Sequence, residues 1–212
     1  MHRSRPLIVV AVLCAIGGTA CTSPPAPASE RRSPSPLQRP IAGPLTPSSE
    51  ERAVYEAAVS RFLQGWVDEE SEPTPPTFVV HPTTVTLSSL PSAPADSAWA
   101  PSVREAWAEF AERNQKRYVI PADLGLGPRV QVPDLEPEGP HDARPWDTLL
   151  ERYPDVSGFL MLSRIGFSEG QDAAVVEIGA YRGDFDGGGA RFVLLRRDGQ
   201  WLVERETLTW VM

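Results

Sequence analysis

Residues 159–212 read FLMLSRIGFSEGQDAAVVEIGAYRGDFDGGGARFVLLRRDGQWLVERETLTWVM. Four apolar, β-rich runs follow one another here, over 159–167, 173–181, 190–197 and 201–212, with turn residues between them. That spacing predicts a four-stranded antiparallel meander. The strongest local signal is Arg197-Asp198-Gly199-Gln200, because Asp-Gly supplies the positive φ angles of a two-residue type I′ turn. Placing Arg197 opposite Gln200 sets Phe192 against Arg205, Leu194 against Val203 and Arg196 against Trp201 on one face, and Arg191 against Glu206 on the other. In the first hairpin, pairing Phe167 with Asp172 puts Phe159, Met161, Ile165, Ala174, Val176 and Ile178 on one side. Leu160, Leu162, Arg164, Val175 and Glu177 then share the other, and upstream helix is the expected cover. The same register brings Arg164 diagonally across from Glu177. Val203 and Leu208 have opposite parity, which points to a bulge or a change of packing partner between Glu204 and Thr207.

The chain begins with the basic Met1-His2-Arg3-Ser4-Arg5, an apolar run from Leu7 to Ile16, and small residues before Cys21. The apolar part is too short to span a bilayer of about 30 Å, so residues 1–20 read as an export signal. Gly18-Thr19-Ala20-Cys21 resembles a bacterial lipobox, which implies cleavage before Cys21 and a diacylglyceryl thioether on it. Gly18 stands where that motif usually has Leu. The only other cysteine, Cys14, leaves with the signal, so the mature chain has no intramolecular disulfide. Residues 21–47 are rich in Pro, Ser and Ala and read as a disordered tether behind the lipidated cysteine. Residues 48–212 are long enough for one domain with a substantial core.

The formal charge of −8 becomes two units more negative once Arg3 and Arg5 leave. An acidic surface argues against nucleic acid as a partner. The expected contacts are the membrane, through the N-terminal lipid, and an envelope protein or small ligand of unknown identity.

Ser48 and Glu51 form a capping box at the head of a helix whose apolar stripe is Tyr55, Ala58, Val59, Phe62 and Trp66, ending near Val67. Residues 77–87, interrupted by Pro82, read as one bent edge strand. Ser102 is expected to cap a second helix to about Lys116, with Val103, Ala106, Trp107, Phe110 and Ala111 inward. Tyr118-Val119-Ile120 suits a short strand, residues 124–144 irregular structure, and residues 146–153 a short helix.

Sequence signals of chemistry are sparse. His81 and His141 are isolated, without a second ligand at metal spacing. No Gly-x-Ser-x-Gly elbow, phosphate-cradling loop or mature nucleophilic cysteine beyond Cys21 is present. Gly183-Asp184-Phe185-Asp186-Gly187-Gly188-Gly189 has alternate carboxylates but lacks the further ligands of a calcium loop, so it reads as a hairpin connection. No metal, cofactor or catalytic residue is assigned.

Leu162-Ser163-Arg164-Ile165-Gly166-Phe167, Ala174-Val175-Val176, Val193-Leu194-Leu195 with Asp198-Gly199-Gln200-Trp201, and Thr209-Trp210-Val211 together resemble a family of uncharacterised bacterial exported proteins, often lipoproteins. The likeness is good over 159–212 and looser upstream, at Ala108-Glu109-Phe110 and Asn114. Members often carry cysteines in the Gly-rich loop, where this chain has none. The family brings no activity with it. More distantly, helices followed by a sheet with an Asp-Gly-x-Trp hairpin are similar to the NTF2-like or cystatin-like α+β class, which spans enzymes, ligand binders and scaffolds.

The expected architecture is therefore α+β: a C-terminal antiparallel meander packed by N-terminal helices, tethered by Cys21 to the bacterial envelope. In a Gram-negative cell that is the periplasmic side of the outer membrane. The function this favours is a non-enzymatic binding or interaction module. The alternative is a small acid-base enzyme with its pocket between helices and sheet.

Overall fold

Asp198 and Gly199 take φ values of 50° and 79°, the left-handed pair that a type I′ turn demands. They join two long strands, and a computed structural model of the chain shows the rest of the sheet growing from that hairpin. It describes residues 41–65, 77–85, 99–132, 151–183 and 186–211. All belong to one compact unit. The elements in chain order are β1 (Ile41–Pro44), α1 (Ser49–Gln64), β2 (Phe78–Val80), α2 (Pro101–Arg113), β3 (Arg117–Val119) and β4 (Val130–Gln131). The meander follows as β5 (Gly158–Leu162), β6 (Gly166–Phe167), β7 (Ala173–Gly183), β8 (Asp186–Arg197) and β9 (Gln200–Val211).

The fold is α+β. The main sheet runs β4-β2-β5-β7-β8-β9, with β6 paired to β7 beyond the end of β5. Its meander strands are antiparallel, whereas β2 pairs in parallel with both β4 and β5. Of the edge strand expected over 77–87, the ladder-paired part Phe78–Val80 is interior and fully buried, and β4 takes the edge. Pro82 does not intrude, because the chain leaves the sheet after Val80, where His81 N–H still donates to Leu160 O at 2.8 Å. β1 pairs with β3, and Leu45 beyond it is buried, so ordered structure begins ahead of Ser48.

Both faces of the sheet are covered. Residues of even number on β7 and β8, namely Ala174, Val176, Ile178, Ala190, Phe192 and Leu194, pack with Leu160, Leu162 and the α1 side chains Val54, Tyr55, Ala58, Val59, Phe62 and Leu63. The odd residues Ala173, Val175 and Val193 pack under Val103, Ala106 and Phe110 of α2. Trp107 is half-buried beside them. α1 starts as its sequence predicts, with both bonds of the Ser48–Glu51 capping box formed. α2 starts two residues early, capped at Ala100 rather than Ser102, with Pro101 in its first turn and no side-chain cap bond. A proline needs no N–H acceptor at that position. Gly166 of β6 lies so close to α2 that a Cβ there would strike the backbone of Ala106 and Phe110.

The β8–β9 register follows the expected pairing from Arg197↔Gln200 to Leu194↔Val203, then shifts at Glu204. That is the bulge to which the parity of Val203 and Leu208 pointed. The shift sets Phe192 opposite Glu206 and Arg191 opposite Thr207, so the expected Phe192–Arg205 and Arg191–Glu206 pairs do not form. Arg191 instead faces Glu177 across β7.

The first hairpin differs by a slip. Phe167 pairs with Ala174 and Leu162 with Ile178, which moves Leu160 and Leu162 onto the α1 face and leaves Phe159 and Met161 on the other. Arg164 consequently does not meet Glu177. The cause is a break at Ser163–Ile165, where the chain leaves one strand and re-enters as another.

Residues 1–40, which hold the expected signal and most of the expected tether, and residues 66–76, 86–98, 133–150, 184, 185 and 212 lie outside the described residues. Of the short helix expected over 146–153, Glu151 and Arg152 carry helical backbone.

Removing residues 41–47 exposes β3 and the pocket that Leu45 fills. A mature chain beginning at Ser48 is expected to melt several degrees below one beginning at Ile41; equal melting temperatures in calorimetry would show that β1 contributes nothing.

Candidate functional site

A strand that breaks leaves backbone donors and acceptors without ladder partners, and burying them unpaired is costly. At Ser163–Phe167 the missing partners are side chains. Tyr55 Oη, from α1, donates to Ser163 O at 2.7 Å. Asn114, just past α2, accepts from Arg164 N at 2.7 Å and donates to Arg164 O at 2.9 Å, imitating a strand. Arg113 Nη1 donates to Ile165 O at 2.8 Å. Phe167 N–H donates to the Glu109 carboxylate. Ser163 Oγ accepts from Glu177 N at 2.8 Å. Burial pushes the Tyr55 phenol far above its ordinary range, so it stays a neutral donor.

Glu51 ties this clamp to α1. Its Oε2 accepts the Ser48 N–H at 2.9 Å. Its Oε1 lies 3.2 Å from both Arg164 Nη2 and Arg113 Nη2. The Glu51 and Arg164 side chains are only 6% and 8% exposed, so this pair is a buried one. The Arg164 guanidinium also sits 4.4 Å from the Tyr118 ring centroid. Neither contact was legible beforehand: Glu51 is 113 residues from Arg164, and only its helix-capping role has a local signature.

Where β5 gives out, side chains from the first turn of α1 and from α2 meet past β6, as in the Glu51–Arg113 pair. An open groove of about 530 Å³ forms there, lined by Ser48, Glu51, Glu105, Glu109, Arg113, Phe167, Ser168, Glu169 and Gln171. Three of its four lining glutamates have carboxylates engaged within the chain. Glu51 is shared as described, Glu109 holds Phe167 N–H and lies 3.9 Å from Arg113 Nε, and Glu105 accepts from Glu169 N–H at 3.4 Å.

A second buried pair, Glu177 with Arg191, lies under α2, with the guanidinium 5.0 Å and 5.4 Å from the centroids of Trp107 and Phe110. Loss of water raises the Glu177 carboxyl above its ordinary value, outweighing the attraction of Arg191. His81 is buried, its Nδ1 accepting from Thr83 N–H at 3.2 Å, a bond that closes a local turn. His141 and Asp184 lie outside the described residues, and Asp186 is paired with Arg182 at 2.9 Å. Among the described residues no group of three His, Cys, Asp or Glu side chains is placed to hold a metal. No described helix is long and apolar enough to cross a membrane. Cys21 also lies outside the described residues.

No protein-family model, curated protein or solved structure matches the chain.

Removing one member of a buried ion pair strands the other, a loss of about 3–5 kcal/mol. Glu51→Gln and Arg164→Met should each destabilise in that range. The double variant should cost much less than their sum, because the two charges are removed together. Glu204→Gln, at an exposed pair, should stay within about 0.5 kcal/mol. Denaturant titration of the wild type and these four variants checks this, and additive effects of Glu51→Gln and Arg164→Met would rule out the pairing.

Glu177 supplies a pH signature. Its folded-state value is raised, so the fold holds the proton more tightly than the unfolded chain does. Its contribution is then complete below the ordinary carboxylate range and is lost as pH rises through the raised value. Wild-type stability, measured against Glu177→Gln, should therefore fall as pH rises from the ordinary carboxylate range through the raised value. A rise over that interval would contradict the assignment.

Proposed function

We propose that the chain is an exported bacterial lipoprotein, anchored through Cys21, whose domain is a non-enzymatic binding or interaction module with the groove at the ends of α1 and α2 as its contact face. The observation carrying the domain's role is the state of three of the four groove carboxylates. Glu51, Glu109 and Glu105 are each bonded to donors of the chain itself. Such groups shape a surface, whereas a general acid or base must be free to exchange a proton with a substrate. The competing reading, a small acid-base enzyme using a pocket between helices and sheet, needs one of these carboxylates released from its bonds or the exposed Glu169 as the working group.

The anchor reading rests on the basic start, the apolar run and the lone Cys21 of the mature sequence. It places the domain at the cell envelope, on the periplasmic face of the outer membrane in a Gram-negative cell, with an envelope protein or a small ligand as partner and no nucleic acid. For the fold we propose the NTF2-like or cystatin-like class. The meander with its Asp-Gly-x-Trp hairpin supports this; the parallel β2 between β4 and β5 and the helices on opposite faces depart from helices simply laid on an antiparallel sheet.

Two experiments separate the parts. Cys21→Ser should release the protein from membranes or block its processing, and normal cleavage with unchanged detergent partitioning would reject lipidation. A photo-crosslinking residue at Gln171, in cells, should yield a discrete adduct that is lost when Glu105→Lys and Glu169→Lys are added. Absence of any adduct at Gln171 would reject the groove as the contact face.

A further inference from the structure

We infer that Arg113 is a strap across the groove: it holds the two helical walls together, and its release widens the space between them. This rests on the groove being the contact face proposed above. α1 and α2 pack on opposite faces of the sheet, against separate sets of side chains. Past the edge of β6 they are linked through Glu51, and the link from the α2 side is Arg113. One guanidinium makes three attachments there. Nη1 donates to Ile165 O at 2.8 Å, Nη2 lies 3.2 Å from Glu51 Oε1 on α1, and Nε lies 3.9 Å from Glu109 Oε1 one turn back on α2.

Exposure makes this attachment releasable. Arg113 and Arg164 share the same Glu51 oxygen, but the Arg113 side chain is 29% exposed and that of Arg164 only 8%. A cation arriving from solvent therefore meets Arg113 first. If Arg113 lets go, Glu51 still caps α1 and still neutralises Arg164, so the buried pair and the first turn of α1 survive. What is lost is the cross-connection between the walls, together with the bond to Ile165 O. A planar guanidinium with five donors can serve three acceptors at once, which an ammonium cannot. Arg113 is thus a positioning residue for the groove: it sets the distance between Ser48 and Glu51 on one wall and Glu105 and Glu109 on the other.

The test uses the full mature chain and hydrogen exchange by mass spectrometry, corrected for intrinsic rates. Arg113→Gln should raise exchange in peptides covering 48–52 and 105–114 together, by roughly tenfold given a lost charge-assisted bond, while 173–180 stays unchanged. Arg113→Lys should fall between the two. In the wild type, free arginine should raise exchange in those peptides more than equal sodium chloride does, and the excess should vanish in Arg113→Gln. A change confined to the residues around 113, no change, or equal effects of arginine and sodium chloride in the wild type would overturn the strap. Because this readout involves no partner, a strap without a crosslinked partner at Gln171, or a partner without a strap, is a separate and recognisable result.

Discussion

The constraint on which the rest depends is the break in the sheet at Ser163–Ile165. A β-strand satisfies its backbone through neighbours on either side, and here the chain leaves β5 and returns as β6 while buried. The orphaned groups have to be bonded from somewhere, because the interior offers no water. Both helices supply the partners, through Tyr55 from one and Glu109, Arg113 and Asn114 from the other or its end. The clamp therefore decides where α1 and α2 sit, and it is also why a groove opens at this corner.

Burying Glu51 and Arg164 to complete the clamp is not an efficient way to gain stability, since two charges must lose water before they attract each other. What the pair contributes is uniqueness of arrangement. A carboxylate that must meet one guanidinium, a second guanidinium and a helix-capping N–H has one position that satisfies all three. The Glu177–Arg191 pair lies under α2, with its guanidinium against Trp107 and Phe110.

How much of this was legible from sequence depended on the range of each interaction. The Asp198–Gly199 turn, the capping box at Ser48 and the bulge at Glu204 have causes within a few residues, and all three appear as read. The register of β5 against β7 was misread because three residues in the break carry no ladder pairing, and alternation counted through them comes out one residue wrong. Once the parity of Phe159 and Leu160 is reversed, the partner assigned to Arg164 fails with it. β2 looked like an edge because Pro82 cannot donate to a ladder, but the proline falls just past the paired residues. The groove had no local signature at all: its walls come from residues 48–51, 105–113 and 167–171, and only the break between β5 and β6 brings them together.

The clamp can be examined directly through three backbone amides whose acceptors are side chains rather than a strand: Arg164 N–H on Asn114, Phe167 N–H on Glu109 and Glu177 N–H on Ser163. Native-state hydrogen exchange by NMR, followed with increasing denaturant, gives the opening free energy of each. If the break is held as described, all three should be protected like the central amides of β7 and should merge with them in one cooperative opening. Fast exchange of Arg164 and Phe167 while β7 stays protected would mean that the segment opens on its own, and that the helices are not held through it.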